Sequence, residues 1–154
     1  MAGPKLRVFL DSNVIVSGIY SSRGAPAAIL EHFIEGRLRV VVSQQVLDEV
    51  IRTVKVKLPD ALPALRKLLV NAPPEIWKDP APDDIECWRE ALDIGDAAVL
   101  AAAVAAEPDY FITGDRHFID DPKIAEKAGL RIVTPAQFVE AWAREGGQDE
   151  RGRH

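Results

Sequence analysis

Asp11, Glu49, Asp96 and Asp115 are the residues in this chain most able to do chemistry as a group. Asp11 follows the apolar run at 6–10, and Asp115 follows the run at 110–113 with a single glycine between. If both runs are neighbouring strands of an open parallel sheet, their acids face the crevice beyond the strand ends, where ligands of such sheets bind. Glu49 borders the apolar stripe of Val46, Leu47, Val50, Ile51 and Val54, so it can lean toward the same edge. Asp48 points about 100° away around that helix, toward solvent. Asp96 opens an alanine-rich helix just after Gly95, and small side chains there allow close approach to a sheet. Each acid alone has a plainer explanation. A strand-end aspartate caps a turn, Glu49 sits on a solvated helix face, and an acid at a helix start answers the macrodipole.

Convergence changes the chemistry. Four carboxylates without partners raise one another's pKa, and a site that keeps them ionised needs cations. Oxygen-only ligation suits Mg²⁺ or Mn²⁺ rather than zinc. The chain has one cysteine, and none of His32, His117 and His154 stands at metal-ligand spacing. A carboxylate-bound ion, or a pair about 3.5–4 Å apart, activates water and steadies the oxygens of an in-line phosphoryl displacement. Such a site hydrolyses phosphodiesters without a nucleophilic side chain.

The elements that must position these acids alternate between strand and helix. Strands are expected at 6–10, 38–42, 75–77, 110–113 and 131–133, and helices at 26–35, 46–58, 61–70, 85–92, 96–106 and from 135 to about 144. Ser43 can cap the helix that carries Glu49, and Thr134 followed by Pro135 opens the last helix. Residues 79–84, with three acids and two prolines, read as a loop. Alternation of this kind predicts one α/β domain over 1–144 with a parallel sheet between helices, followed by a polar tail at 145–154.

Composition sets outer limits. A chain of 154 residues, 47% hydrophobic and 28% charged, is sized for one globular core. No apolar run is long enough to cross a bilayer, and no signal peptide is evident, so with Cys87 as the lone cysteine a reducing cytoplasm is expected. The net charge of −5 runs against nucleic-acid binding. Metal bound to clustered carboxylates can supply the missing local positive charge. Arg116 can hold a phosphate by paired hydrogen bonds or balance the acids beside it. Arg52, Lys55 and Lys57 suit a helix C-terminus and are secondary candidates for steering a polyanion, and Arg23 can line the approach. Trp77, Trp88 and Trp142 are expected in the core or an interface, and Cys87 as a passive, partly buried residue.

Several segments together resemble a known family. VFLDSNVIVSGIYSSRGAPAAIL is similar to the first motif of PIN domains, in the branch of toxin–antitoxin toxins (VapC-like ribonucleases). VVSQQVLDEV resembles the second motif, with its acid on Glu49. GDAAVLAAAVAAEPDYFITGD resembles the third and fourth, with acids on Asp96 and Asp115, and RIVTPAQFVEAW resembles the closing strand and helix. In many relatives an aspartate-rich segment directly precedes the third motif. Here DPAPDD lies earlier and IGD occupies the junction, so Asp96 is the matching acid ahead of Asp93, Asp83 and Asp84. The resemblance implies a three-layer α/β/α sandwich and Mg²⁺- or Mn²⁺-dependent endoribonuclease activity on RNA. It also implies restraint by a cognate antitoxin, assembly as a homo-oligomer, and support of the acids by Asn13 and Thr113.

Two other functions fit parts of the pattern. A phosphatase or phosphotransferase could use Asp11 as nucleophile, but that chemistry wants a second acid two residues on, where this chain has Asn13. A non-catalytic binding module could keep the fold and use the acids structurally.

Overall fold

The computed structural model describes the backbone of residues 5–151 and the side chains of 5–145. Five strands, β1 (Arg7–Leu10), β2 (Arg39–Ser43), β3 (Glu75–Trp77), β4 (Tyr110–Ile112) and β5 (Ile132–Val133), form one sheet in the order β3-β2-β1-β4-β5. Every pairing is parallel, with Val8 opposite both Val40 and Tyr110. The three central strands are apolar throughout their interiors because helices cover both faces of the sheet. The architecture is the three-layer α/β/α sandwich. Phe9 meets Phe111 edge-on at 5.5 Å, and Phe111 meets Phe118 at 5.2 Å, so aromatic packing ties β1 and β4 together.

The helices are α1 (Ser12–Tyr20), α2 (Ala25–Ile34), α3 (Gln44–Lys57), α4 (Leu62–Asn71), α5 (Pro82–Glu86), α6 (Ile94–Ala106), α7 (Arg116–Ile119), α8 (Pro122–Ala128) and α9 (Pro135–Arg151), with a 3₁₀ turn at Pro59–Ala61. Ser43 caps α3 by accepting the Val46 N–H at 3.2 Å. Thr134 and Gln137 form a reciprocal capping box at the start of α9. The alanines of α6 let it lie close against the sheet, with Ala97 and Ala103 fully buried.

Some elements differ from the sequence expectation. α1 is a helix despite Val14, Ile15, Val16 and Ile19, residues that favour strands. Asp11 caps it, and burial of Val14 and Ile15 outweighs the weak propensity. The helix expected at 85–92 begins instead at Pro82, inside the expected loop, and gives way to turns after Glu86. Pro82 at its first turn, followed by Asp83 and Asp84, suits a helix start. α6 starts at Ile94, with Asp93 as its cap, so Asp96 lies within the first turn rather than at the boundary. α7 and α8, capped by Asp115 and Asp121, occupy a stretch for which no helix was expected. α9 runs past Arg144 to Arg151, so most of the expected tail continues the last helix, and 152–154 lie outside the described residues. Cys87 is exposed rather than partly buried. Among the described residues no helix is long and apolar enough to cross a membrane.

Candidate active site

The strand order reverses at β1, which has β2 on one side and β4 on the other. A crevice opens beyond the C-terminal ends of β1 and β4, the place a parallel sheet offers a ligand. Asp11 and Asp115 both line it, so the strands expected to be neighbours are neighbours. Glu49 reaches the crevice from α3 and Asp96 from α6, and the space they enclose is about 540 Å³.

Asp11 is held most firmly. It is only 5% exposed, yet each of its oxygens has a donor. Oδ1 accepts the Ser12 N–H at 2.8 Å. Oδ2 accepts the Thr113 hydroxyl at 2.7 Å and the Asn13 amide at 3.2 Å. Thr113 is wholly buried, and its Oγ1 in turn accepts the Asp115 N–H at 3.0 Å. Asn13 Oδ1 accepts the Gly114 N–H at 2.9 Å. Asn13 and Thr113 thereby lock the end of β1 to the end of β4 and fix the spacing of two acids 104 residues apart in sequence. A side chain at position 114 would press on Asn13, since a Cβ there would lie 3.3 Å from its Oδ1.

The third and fourth acids are placed by helix ends. Asp93 caps α6 through the Asp96 N–H at 2.9 Å, and the Asp96 carboxylate lines the crevice. Asp115 caps α7 by accepting the His117 N–H at 2.8 Å. Gln45 on α3 donates to the Gly95 carbonyl at 3.3 Å and joins the Glu49 helix to the start of α6.

Electrostatics shows the cost of this crowding. Burial pushes the Asp11 carboxyl up from 3.8 to about 6, with the Asp115 and Glu49 charges adding to it and the Thr113 and Ser12 hydrogen bonds opposing it. Burial also raises the Asp96 carboxyl, against a hydrogen bond from His117, with the Asp115 and Asp93 charges adding. The His117 imidazole is raised, chiefly by its hydrogen bond to Asp96 and then by the Asp115 charge. A divalent cation would relieve this repulsion. The carboxylates that line the crevice, with Asp11 held in place by neutral donors, fit a hard ion.

Not every candidate residue reaches the crevice. Asp93 lines it, whereas Asp83 and Asp84 sit on α5 outside it. Arg52 lines it, one turn beyond Glu49 on α3. Arg116 does not line it; its side chain is 82% exposed and paired with Asp120 at 3.1 Å. Trp88 is buried, and Trp142 packs against His32 and Phe138. His117, set aside on sequence spacing, sits at the acids: Nδ1 is 2.9 Å from Asp96 Oδ2 and 3.3 Å from Asp115 Oδ1. Spacing along the chain could not reveal it, because its partner Asp96 lies on another element. The only sequence signal was its position two residues after a strand-end acid.

The PIN domain family profile matches residues 7–117, a segment that contains all four acids. The chain belongs to the PIN domain family. No curated protein matches it in sequence. Among solved structures, this PIN domain is similar to VapBC2 from Rickettsia felis bound to a DNA fragment from their promoter. The TM-score is 0.62 at 18% identity, covering 84% of this chain and 98% of the other. It is also similar to PAE2754 from Pyrobaculum aerophilum, with TM-score 0.63, 17% identity and 91% of each chain covered. A toxin–antitoxin complex from Klebsiella pneumoniae gives TM-score 0.59 at 20% identity, covering 83% of this chain and 97% of that one. At these identities the likeness is one of fold.

Proposed function

We propose that this PIN domain is a divalent-metal-dependent endoribonuclease and the toxin of a toxin–antitoxin pair. The observation that carries the reading is the convergence of Asp11, Glu49, Asp96 and Asp115 on one crevice at the strand-order reversal. Asp11, Asp96 and Asp115, with Glu49, would hold the ion, Mg²⁺ or Mn²⁺. When bound, the ion supplies Lewis-acid polarisation of a phosphodiester and an activated water.

The chain's own groups do the rest. Thr113 and Asn13 keep Asp11 oriented toward the crevice through their hydrogen bonds. Arg52 provides a cation on the crevice wall suited to an RNA phosphate. Arg116 is exposed beside the site and is available to a longer substrate. The toxin reading draws support from structures of the same fold, one of them a toxin–antitoxin complex from Klebsiella pneumoniae. A small antitoxin protein that inserts a basic side chain among the acids would compete with the metal.

The phosphatase reading is weaker, because that chemistry wants a second acid two residues after Asp11, and the residue there, Asn13, only donates its amide to Asp11 Oδ2 at 3.2 Å. Incubation of the purified protein with varied RNAs in Mg²⁺, Mn²⁺ or EDTA tests the proposal. Endonucleolytic products are expected with either metal and none with EDTA. Covalent trapping of a phosphorylated Asp11 would favour the phosphatase instead. Absence of a saturable Mn²⁺ site sensitive to Asp115→Asn would favour a non-catalytic module.

A further inference from the structure

His117 gives the acidic crevice something its carboxylates lack, an imidazole nitrogen. One donor atom from each of Asp96, Asp115 and His117 lies within 4.8 Å of the others. Ligands on adjacent vertices around a six-coordinate ion with bonds of about 2.1 Å lie about 3 Å apart. The separations of His117 Nδ1 from Asp96 Oδ2, 2.9 Å, and from Asp115 Oδ1, 3.3 Å, match such an edge. The backbone reinforces the placement, because the Asp115 carboxylate accepts the His117 N–H and so fixes the root of the imidazole beside it. The ring is not forced inward by packing, since its side chain is 69% exposed. Its position is set by the two carboxylates.

We propose that His117 is a metal ligand through Nδ1, so that the site is a mixed oxygen–nitrogen centre that prefers late first-row ions such as Co²⁺ or Zn²⁺ to Mg²⁺. The inference rests on the metal-site reading above and adds its selectivity. Imidazole favours late first-row ions, whereas Mg²⁺ keeps oxygen ligands and sheds water reluctantly. Carboxylates alone already favour late first-row ions to some degree, and a nitrogen donor steepens that preference, so the imidazole is read from the change in the Co²⁺-to-Mg²⁺ ratio.

The test uses tag-free protein, with calorimetric titration of Co²⁺ and Mg²⁺ and pulsed electron paramagnetic resonance of bound Mn²⁺. Nitrogen coupling to Mn²⁺ is expected in the wild type and lost in His117→Ala. Co²⁺ affinity should fall by at least about tenfold in that variant, with a smaller change for Mg²⁺. His117→Asp places an oxygen at the same reach along the side chain, and should recover binding without nitrogen coupling and with a narrower Co²⁺-to-Mg²⁺ ratio. Circular dichroism verifies that the variants are folded. Metal binding that needs Asp115 but shows no nitrogen coupling in the wild type would overturn the ligand role and leave the acid site standing. Tighter Co²⁺ binding by His117→Ala would overturn it differently, by marking the imidazole as a cation that competes for the seat. No Asp115-dependent binding of any ion would remove both readings together.

Discussion

Burial of a carboxylate next to two others destabilises a fold, and Asp11 shows how that destabilisation depends on pH. Its pKa is about 6 in the fold against 3.8 for the free group, so the folded state binds this proton more tightly than the unfolded one. The stabilising contribution of the protonated form is therefore complete below about pH 4 and is lost as pH rises through about 6. Across that window the metal-free protein should lose up to roughly 3 kcal/mol from this group. His117 shifts in the same sense, since its raised pKa favours the charged form at lower pH. In EDTA, Asp11→Asn should therefore gain Tm relative to the wild type as pH goes from about 4.5 to about 7.5. Thermal melts at several pH values measure it, and a constant difference would show that Asp11 does not titrate in this window. Added Mn²⁺ should raise the wild-type Tm at neutral pH and leave Asp11→Asn less affected. The two strand-end acids were legible in the sequence because Asp11 directly follows an apolar strand run and Asp115 follows one after a single glycine. Asp96 was legible as an acid at a helix start, although the helix begins two residues earlier and its cap, Asp93, was not assigned that role. His117 was illegible, because a hydrogen bond between α6 and α7 leaves no periodic or spacing signal.

At the scale of elements, the acids stay together only if α1 holds its angle at the end of β1. That depends on a close crossing of α1 and α2 at Gly18. A Cβ there would fall 2.6 Å from Leu30 Cδ1 and 2.9 Å from the Pro26 carbonyl oxygen. The leucine can move, but the backbone carbonyl cannot move without displacing α2. Gly18→Ala should therefore destabilise the fold by about 1–3 kcal/mol, despite a helix-propensity gain of about 1 kcal/mol. Gly95→Ala is the matching control, because its nearest neighbour would be Asp93 Oδ1 at an ordinary 3.6 Å. It should be neutral or stabilising by less than about 1 kcal/mol. Urea denaturation of both variants separates these cases, and equal stability for the two would contradict the crossing argument. The five strands and the long helices α3, α6 and α9 were legible from apolar runs, periodicity and caps. α1 was not, because its β-branched residues carry the wrong local preference and tertiary burial decides against it. α7 and α8 were missed for another reason: each is too short for a period to register, and their aspartate caps read equally well as turn residues.

The whole molecule carries net charge −5 and still presents a site proposed for a polyanion. In that account the bound ion and Arg52 supply the attraction, so RNA binding should weaken sharply without metal and depend on salt less steeply than for a basic nuclease. The apolar helices α2 and α3 are candidates for a partner groove or a homodimer contact, but they are largely occupied by the chain's own core. Ile29, Leu30, Val46, Val50 and Val54 are buried, and of the large apolar residues on α2 and α3 the exposed ones are Ile34 and Val56. A homodimer or an antitoxin arm that uses these helices must take in those two side chains. Light scattering should show a dimer or larger assembly that Ile34→Glu together with Val56→Glu weakens, and a monomeric wild type would remove the oligomer proposal. Expression without a partner should be toxic in the wild type and harmless in Asp115→Asn, and equal toxicity would assign the damage to another cause.

The measurement that bears most directly on the central claim is the single-turnover cleavage of one end-labelled RNA by wild type and Asp96→Asn, each shown to be folded, with Mn²⁺ and then with EDTA. The carboxylate-held ion requires cleavage by the wild type with Mn²⁺, none in EDTA, and a rate at least roughly a hundredfold lower in Asp96→Asn. Cleavage that persists in EDTA, or that proceeds equally fast in Asp96→Asn, would contradict it.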